Sequence, residues 1–310
     1  MIANSVKIRE VAPRDGFQSV NDFIPTDMKL KTIEAILKAG VRDIEATSFV
    51  SPKAIPQLRD AADVIARAPH ENVVLSALVP NLKGAENAVK AGVDEIVVVV
   101  SATEAHNQAN VRRSIEESMS EFDEIFMLAL DREVAINGAV AVAFGCPYQG
   151  DVAEKDVMRI VDAYFWRGAN RVILADTTGM AIPNQVDKVV RNFKDRYPHV
   201  ELGLHFHNNR GTAMTNLYVA LLAGATTFDT ALGGIGGCPY VPKAAGNLPT
   251  EDVVYMLSEM GVSTGIDLEA IIEASFVLEQ VLGYTLPGQV MKSGPRDPET
   301  AARICGFGRH

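Results

Sequence analysis

Short β-branched runs alternate with longer helix-periodic runs eight times along most of the chain, and this alternation limits the folds open to it. The strand-like runs fall near 6–12, 42–48, 73–79, 95–101, 134–144, 170–176, 201–207 and 226–232. Helix-periodic runs lie between them, near 27–39, 57–67, 82–91, 112–130, 154–167, 184–196, 211–223 and 250–260. The first helix shows the logic: Thr26 is the expected cap, Leu30, Ile33 and Leu37 share one face, and Gly40 stops it. Eight β/α pairs in about 260 residues match a (β/α)8 TIM barrel. A doubly wound sheet is the rival, but no G-x-G-x-x-G follows the first strand.

A weak internal repeat agrees with the barrel. Ala39-Gly40-Val41, Ala91-Gly92-Val93, Arg167-Gly168-Ala169 and Ala223-Gly224-Ala225 each close a helix and open strand two, four, six or eight. The expected division is a catalytic barrel over 1–262 and a C-terminal helical appendage and tail over 263–310, with a helix near 267–283. In such a barrel chemistry gathers at the C-terminal ends of the strands. Those ends carry Arg14 and Asp15, Glu45 and Ser48, Glu104, His106 and Asn107, Cys146, Asp176, His205 and His207, then Cys238 and Asn247. Solvated loops alone would not place carboxylates inside otherwise apolar strands.

Composition narrows the class. At 47% apolar and 22% charged residues the chain can bury a large core. Its net charge of −10 argues against a nucleic-acid surface. Three cysteines, Cys146, Cys238 and Cys305, lack a C-x-x-C spacing and give no disulfide framework, so a reducing compartment is expected. There is no signal core at the start and no apolar run near the ~20 residues of a membrane helix. The expectation is a cytoplasmic enzyme without a membrane or nucleic-acid partner, compatible with a homo-oligomer.

His205 and His207 stand one residue apart at the end of a strand-like run. Residues i and i+2 of a strand share a face, so both imidazoles aim at one spot, and a divalent metal is the simplest shared partner. Asp15 adds a hard anionic oxygen at the mouth of strand one, and Asn247 offers an amide oxygen. Such an O/N set suits Mg²⁺, Mn²⁺, Co²⁺ or Zn²⁺ in Lewis-acid work on an oxygenated substrate. Arg14 reads either as a group that stabilises an enolate or carboxylate or as a surface salt bridge; a bend at Gly16 is expected to bring it and Asp15 to the rim together. Cys238, in Gly-Gly-Ile-Gly-Gly-Cys-Pro-Tyr, is either an acid–base thiol on a mobile lid or a buried structural cysteine. Cys146 reads as structural. His106, Arg112 and Arg113 read as a solvated helix start, with contact to a ligand's phosphates as the alternative.

Taken together, these residues resemble the hydroxymethylglutaryl-CoA lyase family of metal-dependent lyase barrels. The likeness spans about residues 6–290 and includes Val-Ala-Pro-Arg-Asp-Gly-Phe-Gln from Val11, Ile-Glu-Ala-Thr-Ser-Phe-Val-Ser-Pro-Lys from Ile44, Pro-Asn-Leu-Lys-Gly from Pro80, Ser-Ile-Glu-Glu-Ser from Ser114 and Gly-Cys-Pro-Tyr from Gly145. Gly-Gly-Cys-Pro-Tyr with the following Gly-Asn-Leu and Thr-Glu-Asp, over 236–252, is its most specific part. The resemblance implies a divalent metal, Mg²⁺ or Mn²⁺, held by Asp15, His205, His207 and Asn247. It implies Arg14 against a thioester oxygen, Cys238 as the catalytic thiol, Glu45 and Asp176 beside the site and Ser48 near the substrate. The implied reaction is a retro-Claisen cleavage of an acyl-CoA thioester to acetyl-CoA and a keto acid.

One stretch departs from the family pattern. Asn208-Asn209-Arg210-Gly211 replaces an Asp-Thr-Tyr-Gly type of run. Arg210 would suit a carboxylate placed as in a shorter citramalyl thioester. A synthase of the isopropylmalate or citramalate type shares the His-x-His-Asn signature but carries a long C-terminal extension and releases free CoA. A catalytically silent barrel is the reading from a different class; it predicts no turnover with any thioester.

Overall fold

The computed structural model describes residues 2–237 and 245–306. Eight strands form a closed barrel in chain order. They are β1 (Lys7–Glu10), β2 (Asp43–Ser48), β3 (Val74–Leu78), β4 (Glu95–Ser101), β5 (Ala135–Ala141), β6 (Arg171–Asp176), β7 (Glu201–Phe206) and β8 (Thr227–Thr230). Every neighbouring pair is parallel, and β8 closes on β1 with Lys7 opposite Thr227 and Glu10 opposite Thr230. Each lies within a run expected from the sequence; β4 fills its run and the others are trimmed at one end or both. The fold is a TIM barrel.

The helices are α1 (Thr26–Lys38), α2 (Ala61–Arg67), α3 (Leu82–Ala91), α4 (Glu104–Val111), α5 (Ile115–Asp131), α6 (Glu154–Trp166), α7 (Pro183–Arg196), α8 (Ala213–Leu222), α9 (Thr250–Glu259), α10 (Leu268–Leu282), α11 (Val290–Ser293) and α12 (Pro298–Cys305). None among the described residues is long and apolar enough to cross a membrane. Helix α10 packs against α1 and α9, and the Asp267 N–H donates to Ala39 O at 2.8 Å. The apolar sides of the helices and the outward faces of the strands share one buried core.

Two local expectations differ from the structure. Thr26 does not cap α1: Pro25 holds that position, and the Thr26 hydroxyl donates instead to Asp60 Oδ2 at 2.7 Å. The helix expected over 112–130 is α5, and a further helix, α4, precedes it unexpected. Helix α4 stops at Arg112, whose φ is +59°, and α5 starts behind a capping box formed by Ser114 and Glu117. The segment Glu-Ala-His-Asn-Gln-Ala-Asn-Val has no apolar stripe, so periodicity missed it.

The barrel interior is divided by chemistry. Strand alternation turns Val97, Val99, Ala139 and Ile173 inward as a small apolar cluster on one side. Elsewhere the interior is ionic. Arg171 reaches Asp43 at 3.1 Å, Glu95 at 3.1 Å and Glu201 at 2.9 Å, and Lys7 reaches Asp43 at 2.8 Å. One layer higher, Arg9 bonds Asp229 Oδ2 at 2.9 Å and the Glu45 carboxylate. Buried charges persist only when paired in this way.

The repeat noted in the sequence has a backbone cause. Gly40, Gly92, Gly168 and Gly224 all adopt positive φ, between +90° and +101°, where a helix reverses into the next strand. A Cβ built on Gly168 meets nothing within 4 Å. Gly168→Ala is therefore expected to lower unfolding free energy by about 1–2 kcal/mol through backbone strain alone. Urea denaturation would check this; an unchanged midpoint would contradict it.

Candidate active site at the C-terminal rim

His205 lies on β7 and His207 one residue past its end, so both rings face the barrel mouth with centroids 4.9 Å apart. Asp15 comes from a π-helical turn, Ala12–Gly16, that continues β1. This turn brings Arg14 and Asp15 to the rim together, which a bend at Gly16 had been expected to do. Gly16 instead provides room, since a Cβ there would lie 2.3 Å from Ile235 Cδ1. Its absence lets the strand-eight loop close on the turn, and the Ile235 carbonyl accepts from Asn247 Nδ2 at 3.1 Å. Asn247 is also bridged to His207 through the backbone.

Asp15, His205 and His207 are buried, and one ligand atom from each lies within 4.8 Å of the others. Asn247 Nδ2 donates to Asp15 Oδ2 at 2.7 Å. His207 Nε2 is 3.6 Å from Asp15 Oδ2, longer than a hydrogen bond. Both ring nitrogens of His207 and Oδ1 of Asn247 are buried without a hydrogen-bond partner. Unsatisfied donors and acceptors of this kind are costly unless something else completes them. Two imidazoles, a carboxylate and an amide oxygen fit a divalent cation.

The electrostatics suit that use. Burial opposes the charge on Asp15, but Arg14 and the two imidazoles outweigh it and hold the carboxyl well below the usual carboxylate range. Burial likewise opposes the charge on Asp229, and Arg9 and His205 overcome it, bringing its pKa down to about 2. His205 Nδ1 is 3.3 Å from Asp229 Oδ2. Burial lowers the proton affinity of both imidazoles; the acids beside His205 reverse this and raise it, whereas His207 stays lowered.

The other expected residues fall as follows. Arg14 Nε donates to Glu45 Oε1 at 2.5 Å and Nη1 to Asp15 Oδ1 at 2.6 Å. Arg14 is thus tied into the site and is not a surface salt bridge. Glu45 is wedged between Arg14 and Arg9. Ser48, at the end of β2, has a buried hydroxyl without a partner. Asp176, at the end of β6, accepts from Met180 N at 2.7 Å through Oδ1 and leaves Oδ2 without one. Burial raises it to about 6, with His205 and Arg210 pulling the other way. Arg210 donates to Thr178 O at 2.8 Å and Gly179 O at 3.0 Å. Cys238 lies outside the described residues.

His106 is not part of a solvated helix start. It is buried, its Nδ1 is 2.7 Å from Ser101 Oγ, and burial lowers its pKa to about 4. Arg113 pairs with Glu121. Cys146 is buried, with its sulfur 3.1 Å from Thr103 Oγ1, as a structural thiol would be.

Several residues of the site were missed in the sequence. Arg9 and Asp229 stand in the two shortest strands, where the same alternation that exposed the histidine pair would have turned them inward. Gln18 donates to Asp15 Oδ1 at 2.8 Å. Glu10 accepts from Ala12 N at 2.8 Å, Leu232 N at 2.9 Å and Thr250 Oγ1 at 2.6 Å. Glu251 accepts from Gly233 N at 3.0 Å. These two acids hold the start of the glycine-rich loop.

The HMGL-like family model matches residues 5–278. The chain belongs to this family. It is 42% identical over 292 residues to the hydroxymethylglutaryl-CoA lyase of Bacillus subtilis, covering 93% of this chain and 98% of that one. It is 41% identical over 310 residues to the (R)-citramalyl-CoA lyase of Chloroflexus aurantiacus, covering 96% and 98%. An HMG-CoA lyase of Acinetobacter baumannii, solved in complex with coenzyme A and 3-methylmalate, superposes with a TM-score of 0.91 at 43% identity, covering 95% of this chain and 97% of that one. This HMGL-like protein is a carbon–carbon lyase.

Burial raises Glu251 from 4.5 to about 8, reinforced by Asp252 and Glu10. An acid whose pKa is raised on folding contributes stability at low pH and loses it as pH rises through the folded value. The stability of the wild type relative to Glu251→Gln should therefore fall between about pH 4.5 and 8. Urea midpoints of both proteins at pH 5 and pH 8.5 would check it; parallel midpoints would contradict it.

Proposed function

We propose that this HMGL-like protein cleaves 3-hydroxy-3-methylglutaryl-CoA to acetyl-CoA and a keto acid, in the cytoplasm. The observation that carries the reading is the buried Asp15–His205–His207 group with Arg14 fixed beside it. Relatives named for this cleavage cover nearly the whole chain.

Asp15, His205 and His207, with Asn247 Oδ1, would hold the metal, Mg²⁺ or Mn²⁺. When bound, it supplies Lewis-acid polarisation of the substrate's oxygens. The chain's own residues do the rest. A base in the site takes the proton of the substrate's tertiary hydroxyl, and that oxygen becomes the carbonyl of the keto acid. Arg14 offsets the charge that develops on the thioester oxygen as the carbon–carbon bond breaks. Glu45 holds the guanidinium at Nε, so the cation need not reorganise during the reaction. Cys238 delivers a proton to the carbon of the acetyl-CoA enolate. Ser48 and Asp176 bind the substrate's polar groups from the ends of β2 and β6.

Citramalyl-CoA is the second reading. It is favoured by the (R)-citramalyl-CoA lyase relative and by Arg210, whose guanidinium sits on the loop that follows Asp176. Steady-state assays of acetyl-CoA release from both thioesters with Mg²⁺ or Mn²⁺ decide between them. The expected result is the larger kcat/KM with the hydroxymethylglutaryl ester; a large preference for citramalyl-CoA overturns it. Free CoA in place of acetyl-CoA would overturn both.

His207→Ala should lose more than the ~10–100-fold in metal affinity or activity that loss of an outer-shell partner costs. Its circular dichroism should match the wild type. Full activity in this variant would refute the metal assignment.

A further inference from the structure

Six side chains form a chain of charged contacts that leaves the site and returns to it. Asp15 Oδ1 accepts from Arg14 Nη1 at 2.6 Å, and Arg14 Nε donates to Glu45 Oε1 at 2.5 Å. Glu45 Oε2 accepts from Arg9 Nη2. Arg9 Nη1 donates to Asp229 Oδ2 at 2.9 Å, and that same oxygen faces His205 Nδ1 at 3.3 Å. His205 and Asp15 then meet again as two of the three clustered ligands. Arg9 touches none of the clustered ligands itself, it is only 1% exposed, and it comes from the layer below the rim.

We infer that Arg9 is a positioning residue for the proposed lyase reaction, its two guanidinium nitrogens setting Glu45 behind Arg14 and Asp229 behind His205; this rests on the reading of the site given above. A guanidinium suits this role because its donors lie in one rigid plane and point to two separate carboxylates. Glu45 without Arg9 is a buried carboxylate with one partner and freedom to pull Arg14 inward. Asp229 without Arg9 is a buried carboxylate whose nearest cation-forming group is the His205 ring. Its contact with Nδ1 fixes which ring nitrogen stays available, the arrangement by which outer partners orient metal-binding imidazoles. One side chain therefore governs both the cation end and the substrate end of the site.

The rival explanation is that Arg9 merely balances charge inside the barrel. Arg171 provides the control. It is similarly buried, at 3% exposed, and bonds three acids, Asp43, Glu95 and Glu201. Asp43 also lies 3.8 Å from Arg9 Nε, but none of the three touches Arg14, Asp15 or the histidines.

The test uses the full chain, with Mn²⁺ affinity measured by titration calorimetry in the absence of substrate, kinetics on hydroxymethylglutaryl-CoA, and thermal unfolding. Arg9→Met is expected to weaken Mn²⁺ binding and to lower kcat, each by ~10–100-fold, with KM changed far less than kcat. Arg9→Lys should recover only part of both, because an ammonium cannot fork to two carboxylates. Arg171→Met should lose thermal stability yet keep wild-type kcat and Mn²⁺ affinity. The inference is overturned if folded Arg9→Met behaves as the wild type, or if both methionine variants lose activity in proportion to their loss of stability. Should Arg9→Met fail to fold, Arg9→Lys decides: wild-type kcat and Mn²⁺ affinity overturn the inference, and a lowered kcat at unchanged KM supports it. A wild type that binds Mn²⁺ but does not cleave the thioester refutes the proposed activity, while the Mn²⁺ arm still tests the Arg9–Asp229–His205 link.

Discussion

The site depends on pairing two carboxylates buried inside a barrel. Glu45 and Asp229 are almost entirely removed from water, and an unpaired buried carboxylate would neutralise itself or cost several kcal/mol. Arg9 meets that demand for both. Burial opposes its own charge, and Asp229, Glu45 and Asp43 more than offset this, driving its proton affinity upward. The result is a fixed set of charges beneath the rim, in place before any substrate arrives. Preorganised charge of this kind does not need to rearrange during a reaction, which is where its catalytic value lies.

Closure of the barrel makes the arrangement available. β1 pairs with β8 along its whole length, from Lys7 opposite Thr227 to Glu10 opposite Thr230, so Asp15, near the start of the chain, sits beside residues more than 190 positions later, as the Asp15–His207 approach shows. The glycine-rich loop is tied to the same place from below. Glu10 holds Ala12, at the start of the turn that bears Arg14 and Asp15, as well as Leu232 and Thr250 on either side of the loop. The turn that bears Asp15, the loop and the segment that carries Asn247 therefore share one anchor.

Much of the fold was legible because its signals are local. β-branched runs, amphipathic stripes and helix-ending glycines each depend on neighbours in sequence, and all eight strands follow from them. The exceptions have physical reasons. Helix α4 lacks an apolar stripe, and Thr26 gives its hydroxyl to Asp60 when a cap was expected of it. At the site, His205 and His207 were legible from strand alternation alone. His106 was not, because the same polar sequence can face solvent or pack against Ser101 and Tyr148.

The sequence by itself determined the eight-fold β/α order, the shared face of the two histidines and the placing of Arg14 and Asp15 at a strand end, since each follows from backbone periodicity over a few residues. Only the tertiary structure decided the partner of each buried charge: Arg9 for Glu45 and Asp229, Asp229 for His205, Glu45 for Arg14, Glu10 for the loop. Those pairings join strands that are distant in the chain. They are selected by the cost of leaving a charge unpaired in a low-dielectric interior, a cost that exists only once the barrel has closed around them.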